Sequence, residues 1–148
     1  MTRTPIENNG LVQVVLQSAG TLHPDAIELI GDGLFFDIGG RLRNPHHDPQ
    51  MRYRTGLEPE VRSHVLSTPG ANTVINEIMD ATRAVLHGYA EPRRRRRRLV
   101  KVTVACRGGR HRSPAVAEQV AEYLRAEDDI CVEVEHPHVA LPVVEHQP

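Results

Sequence analysis

The segment from Cys106 to Ser113, CRGGRHRS, combines residue types that bind phosphate groups. Its paired glycines let an anion approach backbone N–H groups closely. Arginine can bind phosphate through two parallel hydrogen bonds, and the N-terminus of a following helix adds positive partial charge. The segment therefore predicts a loop that binds phosphate or sulfate. The candidate ligand-binding residues are Arg107, Gly108, Gly109, Arg110, His111, Arg112 and Ser113.

A cysteine opens this segment, and the spacing C-x-x-G-x-x-R-S matches the phosphate loop of cysteine-dependent phosphatases. In that chemistry the thiolate of Cys106 attacks phosphorus, Arg112 holds the phosphate oxygens, and Asp48 is the available general acid. The alternative is that Cys106 is a small buried residue at the end of a strand. We favour binding without catalysis, because the phosphatase pattern covers residues 106–113 alone. The enzyme is kept as an alternative.

A run of consecutive arginines is the strongest charge feature of the chain: Arg93, Arg94, Arg95, Arg96, Arg97 and Arg98. Such a run binds nucleic-acid phosphates without sequence preference, because it releases counterions. It is also typical of a solvated loop, and it contains no aromatic residue on which bases could stack. RNA binding by this run is therefore an alternative function, ranked behind anion binding by residues 106–113.

Hydropathy patterning and turn signals predict the elements that must position these residues. Strands are predicted at residues 12–16, 34–38, 99–105 and 130–134, and helices at 24–30, 58–66, 71–87 and 113–126. Ser113 is the predicted N-cap of the last helix, with Pro114 at its first position. Residues 39–57 lack a clear period and predict a long loop. The predicted fold class is α/β, a small mixed or parallel sheet of about four strands with flanking helices. It ends in a βαβ unit with the phosphate-binding loop.

A length of 148 residues fits one domain. We expect a flexible N-terminus at residues 1–10, a single α/β domain at 11–139 that includes the arginine run, and a flexible tail at 140–148. Two cysteines without C-x-x-C spacing predict neither a disulfide framework nor a zinc site, and no metal or other cofactor is expected. The sequence shows no signal-peptide core and no apolar stretch of membrane length, which favours a cytoplasmic location without membrane contact.

Four stretches, in order, resemble motifs in the C-terminal domain of the RNase adapter protein family (RapZ). CRGGRHRSPAVAEQVAEYL resembles the family's G-C-T-G-G-x-H-R-S-V-x-x-A-E-x-L segment. GDGLFFDIGGRLRNPHHDPQMRYRTGLEPEV resembles its D-x-R-x-L-x-N-P-H-x-x-P-x-L-R-x-x-T-G-L-D-x-x-V segment. LQSAGTLHPDAIELI is similar to the S-F-G-x-x-x-G-x-P-x-x-A-D segment, and CVEVEHPHV falls where the family has a strand and an H-R-x-L stretch. The resemblance covers residues 11–139. A stand-alone domain is expected, because the chain contains no G-x-x-x-x-G-K-[ST] motif of a P-loop ATPase.

In this family the C-terminal domain binds glucosamine-6-phosphate and, in some members, small regulatory RNAs. The resemblance implies a regulatory, adapter-like domain that binds a phosphosugar or phosphometabolite on the 106–113 loop. The residues that it carries over are Gly108, Gly109, His111, Arg112, Ser113 and His46, with Arg43 and Asn44 as weaker candidates. The expected partners are a phosphorylated small molecule, RNA and a separate P-loop ATPase-type protein. Arg107 and Arg110 replace less bulky or less basic family residues, which predicts a more cationic pocket.

Overall fold

The computed structural model describes residues 13–88, 99–127 and 130–145. The strands are β1 (Val14–Gly20), β2 (Leu34–Asp37), β3 (Val100–Cys106) and β4 (Val132–Glu135). The α-helices are α1 (Ala26–Ile30), α2 (Pro59–Leu66), α3 (Ala71–Leu86) and α4 (Arg112–Glu127), and a 3-10 helix spans Pro45–His47. The arginine run at 93–98 and the predicted N-terminal segment at 1–10 lie outside the described residues.

The four strands form one parallel sheet in the order β2-β3-β1-β4. In the central pair, Val14 is opposite Val100 and Gly20 is opposite Cys106. Because every strand runs the same way, their carboxyl ends share one edge of the sheet, where parallel α/β folds bind ligands. The predicted α/β class is confirmed. The final βαβ unit connects β3 to β4 through α4, with β1 lying between the two strands.

One face of the sheet carries the hydrophobic core. Alternate residues of the central strands, such as Leu16 and Val102, are buried together with apolar residues of α3 and α4. The buried stripe of α3 comprises Ala71, Val74, Ile75, Ile78, Met79, Thr82 and Leu86. The opposite face is more polar, since Gln17 and Lys101 both donate from that face to the carbonyl of Leu29 in α1. The core therefore fixes β1 and β3, whose carboxyl ends form the candidate site.

Strand β1 extends four residues beyond its predicted end at residue 16, because buried polar residues belong to the strand as well. Ser18 is fully buried, and Gln17 is 3% exposed. The Gln17 side chain donates to the carbonyl of Leu29 and to the hydroxyl of Thr103, while the Ser18 hydroxyl lies 2.7 Å from Nδ1 of His136. Buried polar groups are tolerated where they find hydrogen-bond partners. Because most of these partners lie far away in the sequence, the pattern of apolar residues predicted too short a strand.

The start of α4 also differs from the prediction. The helix begins at Arg112, and the carbonyl of His111 accepts the first helical hydrogen bond from Ala115. Ser113 is therefore inside the first turn and the prediction that it is the N-cap was wrong. Its hydroxyl is instead directed at the sheet, where it donates to the carbonyl of Ala19 at 3.1 Å. In the described residues, none of the helices has both the length and the apolar composition needed to cross a membrane.

Candidate anion-binding site

The loop between β3 and α4 packs backbone against backbone on the end of β1. Gly109 has a φ of 71°, and a Cβ atom there would lie 2.6 Å from the nitrogen of Gly20 and 2.9 Å from Cβ of His138. The loop is anchored by the hydrogen bond from the Thr21 N–H to the carbonyl of Cys106, at 2.9 Å. Glycine is thus required at 109 both for its conformation and for its space.

Cys106 lies beneath this loop with its thiol buried. The N–H of Gly109 donates to its sulfur at 3.3 Å, and the hydroxyl of Ser113 lies 3.2 Å from the same sulfur. Because the Ser113 hydroxyl donates its proton to Ala19, the thiol proton of Cys106 is the donor to Ser113 in this arrangement. The sulfur is therefore in contact with both the middle of the loop and the first turn of α4.

Arg112 provides the most unusual feature of the site. Its side chain is buried, with 2% of the residue exposed, and Nη1 donates to the carbonyl of Gly39. Nε and Nη2 are buried and have no hydrogen-bond partner among the described residues. Burial lowers the pKa of this guanidinium, whereas the neighbouring Cys106 and Asp37 raise it. These two nitrogens lie on one edge of the guanidinium, which is the edge that forms bidentate hydrogen bonds with phosphate or carboxylate oxygens.

Arg107 joins the loop to the end of β2. Its Nη1 donates to Asp37 at 3.0 Å and contacts the Thr21 hydroxyl at 3.4 Å. Asp37 also accepts the backbone N–H of Gly39 at 2.9 Å, and a Cβ on Gly39 would lie 2.9 Å from the guanidinium carbon of Arg107. Arg107 is consequently part of an ion pair at the rim, beside the buried Arg112.

Arg110 and His111 hold the loop of residues 39–57 against the site. Arg110 donates to the carbonyls of Arg54, Tyr53 and Leu141. His111 donates through Nε2 to the carbonyls of Met51 and Arg52, at 3.2 and 3.0 Å. Burial lowers the pKa of His111 to about 4, against the two carbonyl hydrogen bonds that raise it. His111 is therefore neutral near pH 7, with its proton on Nε2.

His46 lies in the 3-10 helix, which is part of the loop of residues 39–57. It is 5% exposed, and its Nε2 donates to the carbonyl of Glu145 at 3.1 Å. Its Nδ1 is buried without a partner in the described part of the chain. With the proton on Nε2, Nδ1 of the neutral ring is a hydrogen-bond acceptor. His46 is close enough to His111 for electrostatic repulsion between the two rings to lower the pKa of His111, so the two predicted loops meet here.

The other predicted residues of the 39–57 loop, Arg43, Asn44 and Asp48, form hydrogen bonds within this loop or with its neighbours. Arg43 contacts Ser67 and Thr68 at the connection between α2 and α3. Asn44 caps the 3-10 helix by accepting the N–H of His46 at 3.1 Å. Asp48 accepts the N–H of Gln50 at 2.9 Å within its own turn. These contacts give each of the three a local role in shaping the loop.

Sequence reasoning did not single out the residues that support the loop from the opposite side. His23 donates to the carbonyl of Gly108 at 2.9 Å. His138 accepts the N–H of Gly20 through Nδ1 at 2.9 Å and donates through Nε2 to Asp25 at 2.8 Å. The rings of His23 and His138 are 4.3 Å apart. The available signal was the HPH stretch after the last strand, since that strand's carboxyl end lies on the same edge of the sheet.

Among the described residues, no group of three His, Cys, Asp or Glu side chains is arranged to hold a metal ion. The donors at this edge are instead N–H groups and a guanidinium, which suit an anion. The fold and the loop place the chain in the class of α/β domains that carry a glycine-containing loop between a central parallel strand and a helix.

The family model described as RapZ C-terminal domain matches residues 12–140. The chain belongs to this family, which confirms the resemblance inferred from the motifs. A nucleotide-binding protein of Leifsonia xyli subsp. xyli is 36% identical over 132 residues, which cover 88% of this chain and 42% of that protein. A nucleotide-binding protein of Rhodococcus erythropolis is 35% identical over 130 residues, with 86% and 40% covered. The chain thus spans about two fifths of the length of these relatives.

Proposed function

We propose that this chain is a regulatory domain that binds a phosphorylated small molecule, with glucosamine-6-phosphate as the ligand favoured by the family resemblance. The observation that carries the proposal is the free edge of Arg112, whose Nε and Nη2 are buried and unpartnered. A buried polar group without a hydrogen bond costs about 1–3 kcal/mol, and more if it is charged. An anionic ligand at this edge would supply the missing acceptors.

The surroundings of Arg112 favour a phosphate over a less charged group. The guanidinium belongs to the first turn of α4, a 16-residue helix whose N-terminus adds positive partial charge. Arg107 contributes a second cation at the rim, although its Nη1 is already paired with Asp37. Gly108 leaves its part of the loop backbone without a side chain, whereas Gly109 packs on the end of β1. Together these groups support a site for a doubly charged phosphate.

The other end of the ligand would meet His46. In the neutral ring the unpartnered Nδ1 requires a hydrogen-bond donor, which an unprotonated phosphate oxygen is not. A hydroxyl or ammonium group of a sugar would supply that donor. The proposed ligand therefore combines a phosphate for Arg112 with a donor group for His46, and glucosamine-6-phosphate has both kinds of group.

The test is calorimetric titration of the purified chain with glucosamine-6-phosphate, glucosamine and inorganic phosphate. We expect glucosamine-6-phosphate to bind more tightly than phosphate, and glucosamine to show the weakest binding. R112K keeps the positive charge but loses the bidentate edge, and we expect it to weaken binding of both phosphates at least about tenfold. H46A should weaken glucosamine-6-phosphate more than phosphate, because the sugar carries the additional donor groups for Nδ1.

The matched control is R41K, since Arg41 is an exposed arginine whose guanidinium pairs with Glu77 of α3. This variant should bind like the unmodified chain. If R112K and R41K bind glucosamine-6-phosphate equally well, or if no phosphorylated sugar binds at millimolar concentration, the proposed function is wrong.

A cysteine-dependent phosphatase is the second candidate, favoured by the groups around one sulfur. The Cys106 thiol has the Gly109 N–H, the Ser113 hydroxyl and the Arg112 guanidinium as neighbours, as the phosphatase pattern requires. An aryl phosphate substrate needs little help from a general acid, so its turnover tests this reading directly. Turnover that is abolished by C106S would establish the enzyme. Absence of turnover across a broad pH range would reject it.

RNA binding by the arginine run at 93–98 stays a separate proposal, supported by its charge. It predicts affinity that falls steeply with salt and is lost when the six arginines are replaced by glutamine. Binding that hardly changes between low and moderate salt would contradict it. A P-loop ATPase-type partner and a cytoplasmic location also stay proposals, which rest on the family resemblance and on the composition of the chain.

A further inference from the structure

We propose that Cys106 is a covalent modification site, whose thiol is reached by small anionic electrophiles through the same anion site. The inference rests on the proposed function, because the anion site is what would bring the electrophile to the sulfur. Modification at Cys106 would then exclude phosphate, and bound phosphate would protect the thiol.

Three groups around the sulfur suit a reactive cysteine. The Gly109 N–H already points at the sulfur, at 3.3 Å. The Ser113 hydroxyl, 3.2 Å from it, can turn its proton from the Ala19 carbonyl to a sulfur that has lost its own. Arg112 lies close enough for Cys106 to influence the pKa of its guanidinium. Hydrogen-bond donors and a neighbouring cation around the sulfur are the surroundings in which cysteines act as nucleophiles.

A reactive thiol also requires that the reagent binds close to the sulfur. The free edge of Arg112 would bind an anionic reagent there. Its Nε and Nη2 are buried and have no hydrogen-bond partner in the described part of the chain, and Cys106 is close enough to influence the guanidinium. A small carboxylate or phosphate held by this edge would be concentrated next to the sulfur. A neutral reagent of the same size would gain nothing from it. Selectivity for an anionic over a neutral electrophile is therefore the signature of this site.

Cys131 gives an internal control within the same molecule. It is partly exposed, whereas Cys106 is 2% exposed, so exposure alone predicts that Cys131 reacts faster. The contacts described for Cys131 differ from those of Cys106: its N–H donates to the side-chain oxygen of Gln13, and its carbonyl accepts from the N–H groups of Gln13 and Val14. If the more buried thiol of Cys106 reacts faster, its surroundings must make the sulfur more reactive and bind the reagent close to it, as we propose.

The probe reaction is alkylation by iodoacetate, with iodoacetamide as its neutral counterpart. The thiolate of Cys106 attacks the methylene carbon, a sulfur–carbon bond forms, the carbon–iodine bond breaks, and iodide leaves. The thiol proton passes to the buffer. Carboxymethylation places a carboxylate beside Arg112, where it occupies the anion site.

The experiment treats the full chain with limiting amounts of either reagent and measures modification of each cysteine by mass spectrometry. We expect the Cys106-to-Cys131 rate ratio to be at least about tenfold higher with iodoacetate than with iodoacetamide, as for an electrostatically focused site. Inorganic phosphate should slow Cys106 and leave Cys131 unchanged. R112K should abolish the preference for iodoacetate, with thermal melting used to check that the variant is folded.

Equal rate ratios for the two reagents, or no protection by phosphate, would overturn the inference, and neither result depends on a variant. Calorimetric titration of the same preparation with phosphate and with glucosamine-6-phosphate separates the two proposals. Phosphate binding without selective alkylation refutes the modification site and leaves the proposed function intact. Selective alkylation without binding of either phosphate or glucosamine-6-phosphate refutes the proposed function and the mutual exclusion. Failure of both measurements refutes both proposals.

Discussion

Gly109 and Gly20 are in direct backbone contact, and this contact joins the loop of β3 to the end of β1. A Cβ atom on Gly109 would lie 2.6 Å from the nitrogen of Gly20, and a Cβ atom on Gly20 would lie 2.6 Å from the nitrogen of Gly109. The two positions therefore depend on each other. Because neither residue has a side chain, the loop can pack closely on the end of β1. This close packing also sets the position of Arg112, which follows the loop.

Substitution G109A should destabilise the chain, because it combines a left-handed φ of 71° with overlap against backbone atoms. We expect a loss of about 1–3 kcal/mol for the backbone conformation alone, and more for the overlap. Gly70 has a φ of 90° with nothing within 4 Å of a Cβ, and Gly40 has open space without a positive φ. Urea unfolding should rank the losses as G109A, then G70A, then G40A. Equal losses for G109A and G70A would show that the contact with Gly20 does not constrain the loop.

Substitution R112M should weaken phosphate binding and have little effect on the stability of the fold. Methionine fills much of the same space and removes the two buried nitrogens that have no partner. We expect the free energy of unfolding to change by no more than about 1 kcal/mol, since loss of the hydrogen bond to Gly39 offsets the gain. Phosphate affinity should fall at least about tenfold. Urea unfolding and calorimetry measure the two effects. A large loss of stability would mean that the arginine is mainly structural.

His111 makes stability depend on pH. Burial lowers its pKa from 6.5 to about 4, so the unfolded chain binds more protons than the folded chain between these values. The contribution of His111 is complete above pH 6.5 and is lost as the pH falls towards 4, with a total of up to about 3 kcal/mol.

Substitution H111Q should reduce this pH dependence, because glutamine can donate to the carbonyls of Met51 and Arg52 without titrating. The matched control is H87Q, since His87 is exposed. Urea unfolding at pH 5 and pH 7.5 gives the difference for each variant. The role of His111 is refuted if H111Q and H87Q retain the same pH dependence.

Substitution H138A should leave the N–H of Gly20 buried without its acceptor, which costs about 1–3 kcal/mol. It also removes a ring that packs on His23. H138N should recover part of the loss, because the amide oxygen of asparagine can accept the same N–H. Thermal melting of the two variants tests this difference. Equal melting temperatures for H138A and H138N would assign the effect of His138 to packing alone.

The sequence by itself determined the α/β class, the approximate elements and the family. These follow from local signals: apolar runs, glycine-rich turns and the motif that surrounds Cys106 and Arg112. Local signals failed where polar residues are buried. β1 extends through Gln17 and Ser18, and Ser113 faces Ala19 and not the start of its helix. In each case the hydrogen-bond partner lies far away in the sequence.

Only the tertiary structure decided which donors of the loop remain available. By residue type alone, Arg110, His111 and Arg112 are equivalent candidates for binding an anion, because all three are basic residues at adjacent positions. In the fold, carbonyls of residues 51–54 and Leu141 accept hydrogen bonds from Arg110 and His111. Arg112 reaches one carbonyl, that of Gly39, which is 73 residues away, and retains two unpartnered nitrogens. Hydrogen bonds to distant carbonyls, which no local pattern encodes, distinguish Arg110 and His111 from Arg112, the donor that we propose binds a ligand.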